Sequence, residues 1–176
     1  MIVNIEKSVA QGRVSAPPSK SMAHRLLICA AMCDGISTVN GVSDCDDVEA
    51  TIECLESLGA KIEISDGVAT VRGTNMLEAS ASSPLCCRES GSTLRFLIPI
   101  ALLSGKNALF YGADSLMQRP MSVYRDLAND KGMSFLADGN SIAVMGPLPH
   151  GDYEVAGNIS SQFISGLLFA LPNLKD

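Results

Sequence analysis

The sequence predicts an α/β fold (an α+β arrangement in detail) built from a repeated βαβαββ unit. Three observations predict it. First, a displacement of about 70 residues lays "RLLICAAMCDG" (25–35) on "RFLIPIALLSG" (95–105), with Arg25 on Arg95, Leu27 on Leu97, Ile28 on Ile98, Ala31 on Ala101 and Gly35 on Gly105. Second, helix-like and strand-like patterns alternate in the same order around both stretches. Third, each copy closes on two strand-like runs joined by a Gly-containing turn.

The elements follow in order. "GRVSAP" reads as a strand leading into a helix that opens at "PSKS" and stops near Gly35, a residue suited to a helix C-terminus. "STVNGV" is a short strand. "DDVEATIECLESLGA" spaces Val48, Ile52, Leu55 and Leu58 as one helical face, with Asp46 and Asp47 in the first turn where acids suit the helix dipole. "KIEISDGVATVRG" is a hairpin with an Asp-Gly turn. The second copy repeats this: "PLCCRE" as strand, the helix of 95–105, and "ALFYGA" as strand. The helix "RPMSVYRDLANDKGM" then has Pro120 at its first position, and "SFLADGNSIAVMG" forms a hairpin on a Gly-Asn turn. A third copy starts with "DYEVAG" as strand and "NISSQFISGLLFALP" as helix, with Ser160 or Ser161 as N-cap. The units fall at 13–73, 84–146 and 151–176, the last incomplete, within a single domain spanning 1–176. A third helix with an apolar face wants strands to cover it, so the expectation is a truncated piece of a larger protein.

Bulk properties narrow the function classes. Charged residues are 18% and hydrophobic ones 47%, so the chain folds rather than staying disordered. A net charge of −6 speaks against nucleic acid, whose phosphates need a basic face, but allows a local cationic cluster for a small anion. Cys29, Cys33, Cys45, Cys54, Cys86 and Cys87 show no CxxC pair and no Cys/His ligand spacing, so no zinc site is expected. They read as reduced thiols used as small hydrophobes. "IVNIEKS" after Met1 is no signal sequence, and no apolar run is long enough to span a membrane, so the expected place is the cytoplasm.

The chemistry gathers at three helix starts: "PSKSMAHR", "RESGSTLR" and "ISSQF". A helix N-terminus presents free N–H groups and the positive end of its dipole, a ready site for phosphate or carboxylate. Serine hydroxyls add donors, Lys20 a point charge, and Arg25 and Arg95 forked donors. Gly91 lets a ligand approach the backbone. Taken singly, each has a plainer reading. Ser19 or Ser21 is a cap, Arg25 and His24 are helix-surface residues, Arg95 satisfies buried carbonyls, Asp46 and Asp47 cap a helix, and Gly91 serves a turn. Their recurrence at three equivalent places favours an anion pocket. No Walker loop, GxGxxG or GxSxG occurs, and no His stands where it would activate a serine.

"PPSKSMAHRLLICAA", "ESGSTLRFLIPIALLSG", "QRPMSVYRDLANDKG" and "GNISSQFISGLLFALP" resemble, in order and over the whole chain, the signatures of the 5-enolpyruvylshikimate-3-phosphate synthase family, the 3-phosphoshikimate 1-carboxyvinyltransferases of the shikimate pathway. The resemblance implies enolpyruvyl transferase-type units in two domains that close on shikimate 3-phosphate and phosphoenolpyruvate. The second domain, with the acid/base carboxylates, would be missing from this chain, and the first dozen residues would lie near it. It implies Lys20 at phosphoenolpyruvate, close to the reacting centre, and Ser21 and Arg25 at shikimate 3-phosphate. Gly91 and Ser92 would lie against phosphoenolpyruvate, and Arg119 would grip it. Ser160 and Ser161 would hold the phosphate of shikimate 3-phosphate, and Gln162 would contact both substrates. No cofactor and no metal are implied. Many members carry Asn-Ala-Gly-Thr where this chain has "ESGS", and Glu89 is unfavourable there unless it points away or pairs with Arg88 or Arg119. Two rivals remain. A UDP-N-acetylglucosamine enolpyruvyl transferase would typically have Lys-Asn at Lys20-Ser21 and a reactive Cys on the loop that here reads "YGADSLMQRP". A non-catalytic anion-binding domain of the same fold is the other.

Overall fold

A computed structural model describes residues 2–4, 6–9 and 11–174. Helix α1 (Lys20–Met32) leads to β1 (Ile36–Asn40), α2 (Asp46–Ser57), β2 (Lys61–Ser65) and β3 (Val68–Arg72). Then come β4 (Leu85–Cys86), α3 (Gly91–Leu102), β5 (Asn107–Tyr111), a short α4 (Asp114–Met117), α5 (Ser122–Lys131), β6 (Ser134–Ala137) and β7 (Ser141–Met145). Helix α6 (Ser161–Ala170) runs into a 3-10 turn at Leu171–Asn173.

The strands form two sheets, β1-β3-β2 and β4-β5-β7-β6. Both hairpins are antiparallel, with Lys61 opposite Arg72 and Ser134 opposite Met145. Strand β4 pairs parallel to β5. The turn Asp66-Gly67 has φ of 51° and 73°, as a two-residue hairpin connection demands. The second hairpin departs from the expected Gly-Asn turn. Its connection is Asp138–Asn140, and the Asp138 carboxylate accepts from the backbone N–H groups of Asn140 and Ser141.

Five other expectations need correcting. Residues 12–17 form no strand: they are exposed, and no strand among the described residues pairs with the outer edge of β1, whereas β5 has β4 beside it. Residues 152–157 form none either. Helix α5 begins at Ser122 rather than at Pro120, because α4 occupies the chain just before it. Gly35 and Gly105 stand two residues beyond the helix caps Cys33 and Leu103. The thiols divide as well: Cys54 and Cys87 are buried, but Cys29 and Cys33 face solvent.

The core is one cluster in which α3 is the most deeply embedded element, with Leu94, Phe96, Leu97, Ile98 and Ile100 buried. Pro99 lies inside α3 and has no N–H for the carbonyl of Arg95. The hydroxyl of Tyr124, from α5, lies 2.6 Å from that carbonyl oxygen and 3.1 Å from the carbonyl of Phe163 in α6. Gly166 lets α6 close on the same spot, since a Cβ there would collide with the Arg95 carbonyl and the Tyr124 hydroxyl. The proline, tyrosine and glycine thus bring α6 against α3, and with it the two helix starts that carry Gly91 and Gln162. On its other side α6 leaves Ile164 and Leu168 exposed. No described helix is long and apolar enough to cross a membrane.

Candidate functional site

Three capped helix starts carry the site. Ser19 accepts from Met22 N–H, Ser90 from Thr93 N–H and Ser160 from Gln162 N–H. Ser160, and not Ser161, is therefore the cap of α6, and Ser161 is exposed.

At the start of α1, Arg25 donates through Nη1 to the Ser21 carbonyl at 2.7 Å and to the Ser21 hydroxyl. Its guanidinium lies 5.2 Å from the centre of the Phe96 ring of α3, a cation–π contact between the two helices. Lys20 bonds Asp47 at 2.6 Å, and the bond and charge of Asp47 raise its pKa.

At the start of α3 the chain turns sharply. Arg88 takes φ of 48° between β4 and α3, and its side chain is anchored on Glu49 and Glu53 of α2. Its carbonyl accepts from Ala113 N–H at 2.8 Å, and Ser90 N–H returns to Cys87. Glu89 is exposed and has no ion pair among the described residues, so it does not pair with Arg88 or Arg119. Gly91 follows, buried. A methyl group on it would lie 2.7 Å from Nη1 of Arg119 and 2.9 Å from Nη1 of Arg95. Arg119 is itself exposed. Two guanidiniums thus converge on the backbone at Gly91. Burial, and then the charge of Arg119, lower the pKa of Arg95.

The start of α6 joins the same group. Arg95 donates to Gln162 Oε1 at 2.7 Å, and Gln162 Nε2 donates to the Ser92 hydroxyl at 2.8 Å. Arg95 thus holds the amide of another helix, and its own carbonyl is the one met by Tyr124.

Beneath the helix starts lies a chain of polar groups that sequence reasoning missed. His24 Nδ1 is 2.7 Å from the Thr51 hydroxyl, which is 2.7 Å from the Thr93 hydroxyl, which donates to Ser90 Oγ at 2.7 Å. All four residues are buried, so His24 is no surface histidine. Desolvation lowers its pKa to about 4, so it is neutral near pH 7, and its Nε2 has no partner among the described residues. The signal was available. His24 shares the apolar face of Leu27, Ile28 and Ala31, and Thr51 that of Val48, Ile52 and Leu55. Asp46 and Asp47 do not cap α2, whose N-cap is Cys45 without a side-chain cap bond; the Asp47 carbonyl lies 3.3 Å from both threonine hydroxyls, while its carboxylate holds Lys20.

Every residue singled out in the sequence therefore lies at or beside one of these helix starts, and named contacts connect the starts. Lys20–Asp47 and Thr51–Thr93 link α1, α2 and α3, while Ser92–Gln162 and Arg95–Gln162 link α3 and α6. The arrangement gathers cationic and neutral hydrogen-bond donors at neighbouring helix starts.

Comparison with known proteins places the chain among relatives. The family profile described as EPSP synthase (3-phosphoshikimate 1-carboxyvinyltransferase) matches residues 5–176. A 3-phosphoshikimate 1-carboxyvinyltransferase from Clostridium kluyveri is 41% identical over 175 residues, covering 98% of this chain and 41% of that protein. One from Clostridium beijerinckii is 44% identical over 171 residues, covering 93% of this chain and 39% of the relative. An EPSP synthase structure from Acinetobacter baumannii superposes with a TM-score of 0.78 at 25% identity, covering 90% of this chain and 37% of the other. The enolpyruvyl transferase NikO from Streptomyces tendae superposes at 0.51 and 15% identity, a likeness of fold alone. The chain spans about two fifths of the length of the curated relatives it matches. Its motifs, its fold and its match from residue 5 to residue 176 agree: the chain belongs to the EPSP synthase (3-phosphoshikimate 1-carboxyvinyltransferase) family.

Proposed function

We propose that this chain supplies one side of an active site that transfers the enolpyruvyl group of phosphoenolpyruvate to the 5-hydroxyl of shikimate 3-phosphate. The observation that carries this reading is the convergence of Arg119 and Arg95 on Gly91, joined through Gln162 to the start of α6. In the reaction the 5-oxygen bonds to the carbon bearing the phosphate ester while the methylene carbon takes a proton. Loss of that proton and cleavage of the carbon–oxygen bond to phosphate then restore the double bond. Both substrates are polyanions, so positioned cations and exclusion of water matter most.

In this reading Arg119, Lys20, the backbone at Gly91, and Ser92 hold phosphoenolpyruvate. Ser21, Arg25, Ser160 and Ser161 hold shikimate 3-phosphate, and Gln162 lies between the two. The mutual bond of Ser21 and Arg25 and the cap geometry of Ser160 support it. The chain would be a single truncated domain of units 13–73, 84–146 and 151–176, with a second domain of the same cytoplasmic enzyme as its partner. Alone it would not turn over, since the acid/base carboxylates belong to that second domain. The loop that precedes Pro120 has no Cys, which favours this substrate pair over UDP-N-acetylglucosamine.

The test is calorimetric titration of shikimate 3-phosphate into the chain, with shikimate as control and Arg25→Ala in parallel. Binding that requires both the phosphate and Arg25 is the expected result. A folded chain that binds neither ligand, or both equally, overturns the reading of this half-site.

A further inference from the structure

Lys20 already has a partner. Its Nζ lies 2.6 Å from Oδ2 of Asp47, on the first turn of the neighbouring helix. The two side chains differ in freedom. Lys20 is 55% exposed on a long flexible stem, while the Asp47 side chain is 27% exposed. The Asp47 backbone lies in the first turn of α2, with its carbonyl 3.3 Å from the hydroxyls of Thr51 and Thr93 of the buried polar chain. Asp46, next in sequence, faces elsewhere: it is 94% exposed and 3.8 Å from Arg88. Two adjacent acids thus serve different cations.

An ammonium held this closely by a fixed carboxylate is not free for a second anion. A phosphate approaching Lys20 must take it from Asp47 or sit beside a carboxylate of like charge. We propose that Asp47 is the internal counter-ion of Lys20, displaced by an incoming phosphate-bearing ligand, so that Asp47 sets the threshold and the anion selectivity of this end of the site. The proposal rests on reading Lys20 as a ligand of phosphoenolpyruvate. A dianionic phosphate outcompetes one carboxylate for the ammonium, whereas a monoanion does not.

The test reads Lys20 directly. The chain is acetylated with acetic anhydride at fixed pH, and modification at Lys20 is followed by peptide mass spectrometry. Wild type, Asp47→Asn and Asp46→Asn are compared with and without inorganic phosphate or phosphoenolpyruvate. Without anion, Asp47→Asn acetylates faster, because the released ammonium gives up its proton more readily. With phosphate, Asp47→Asn lowers the concentration that half-protects Lys20 by about twofold to fivefold, the range expected for an exposed ion pair. Asp46→Asn removes the same charge one residue away and leaves both readouts unchanged. Asp47→Ser also keeps the carbonyl that the threonines bind, and replaces Asp47→Asn if that variant does not fold.

Unaltered protection in Asp47→Asn, weaker protection, or an equal gain in Asp46→Asn overturns the counter-ion role. Acetylation of Asp47→Asn at the wild-type rate overturns it too. Protection by phosphate but not by phosphoenolpyruvate overturns the substrate assignment of Lys20 and leaves the counter-ion standing. Protection by neither ligand in any variant overturns both.

Discussion

Gln162 and Arg95 meet at 2.7 Å across the α3–α6 contact, and the same amide reaches Ser92 at 2.8 Å. One side chain thereby ties an arginine of α3 to the start of α6.

Gln162→Ala leaves Arg95 without that acceptor, and its Nε already lacks a partner among the described residues. The expected loss of stability is about 1–2 kcal/mol by urea titration, because a charge-assisted bond in a half-buried place is broken. Gln162→Glu separates the roles. It keeps an acceptor for Arg95, so stability holds, but it sets a negative charge beside Ser92 and Gly91 at the start of α3, and phosphate affinity falls.

Gly91→Ala tests the close approach. Its backbone is not in the left-handed region, so the variant carries no conformational strain, and the atoms crowded are the ends of Arg119 and Arg95. The fold is retained, while affinity for phosphoenolpyruvate drops about tenfold or more as one charge-assisted contact is displaced. Calorimetry beside a thermal melt checks both halves.

Gly166→Ala behaves in the opposite way. The new Cβ meets the Arg95 backbone carbonyl and a buried tyrosine hydroxyl, and neither has room to give. The expected cost is about 3 kcal/mol, at the upper end for overpacking. The neighbouring Ser165→Ala stays within about 0.5 kcal/mol. Equal melting temperatures for the two variants would sink this account of the α3–α6 contact.

His24 makes stability fall in mild acid. Its pKa is lowered from 6.5 to about 4, chiefly by burial, with Lys20 and Arg25 lowering it further and Asp47 opposing them. Between those values the unfolded chain binds a proton that the folded chain refuses. The contribution is therefore intact above pH 6.5, and about 3 kcal/mol is lost by pH 4. His24→Asn removes this slope, as read by the difference between the two urea midpoints across that window.

Much of the fold was legible because its signals are local. Helical spacing marked α1, α2, α3, α5 and α6, and the Asp66-Gly67 pair marked a hairpin whose φ values require such residues. The failures are non-local. Residues 12–17 read locally as a strand, yet no described strand pairs with them, although the outer edge of β1 has no neighbour among the described residues: pairing is settled by where the chain runs in space. Helix α4 is too short for periodicity to reveal, and it moved the start of α5 from Pro120 to Ser122.

The sequence by itself determined which residues stand at the three helix starts, because caps, glycine and basic residues act within a turn of where they are written. Their assembly was decided by tertiary structure. Pro99 frees a carbonyl, Tyr124 meets it, and Gly166 lets α6 approach, and these three lie on different helices. Burial likewise made His24 neutral, and proximity gave Lys20 to Asp47, 27 residues away. Such pairings depend on distance in space, which the order of residues along the chain does not state.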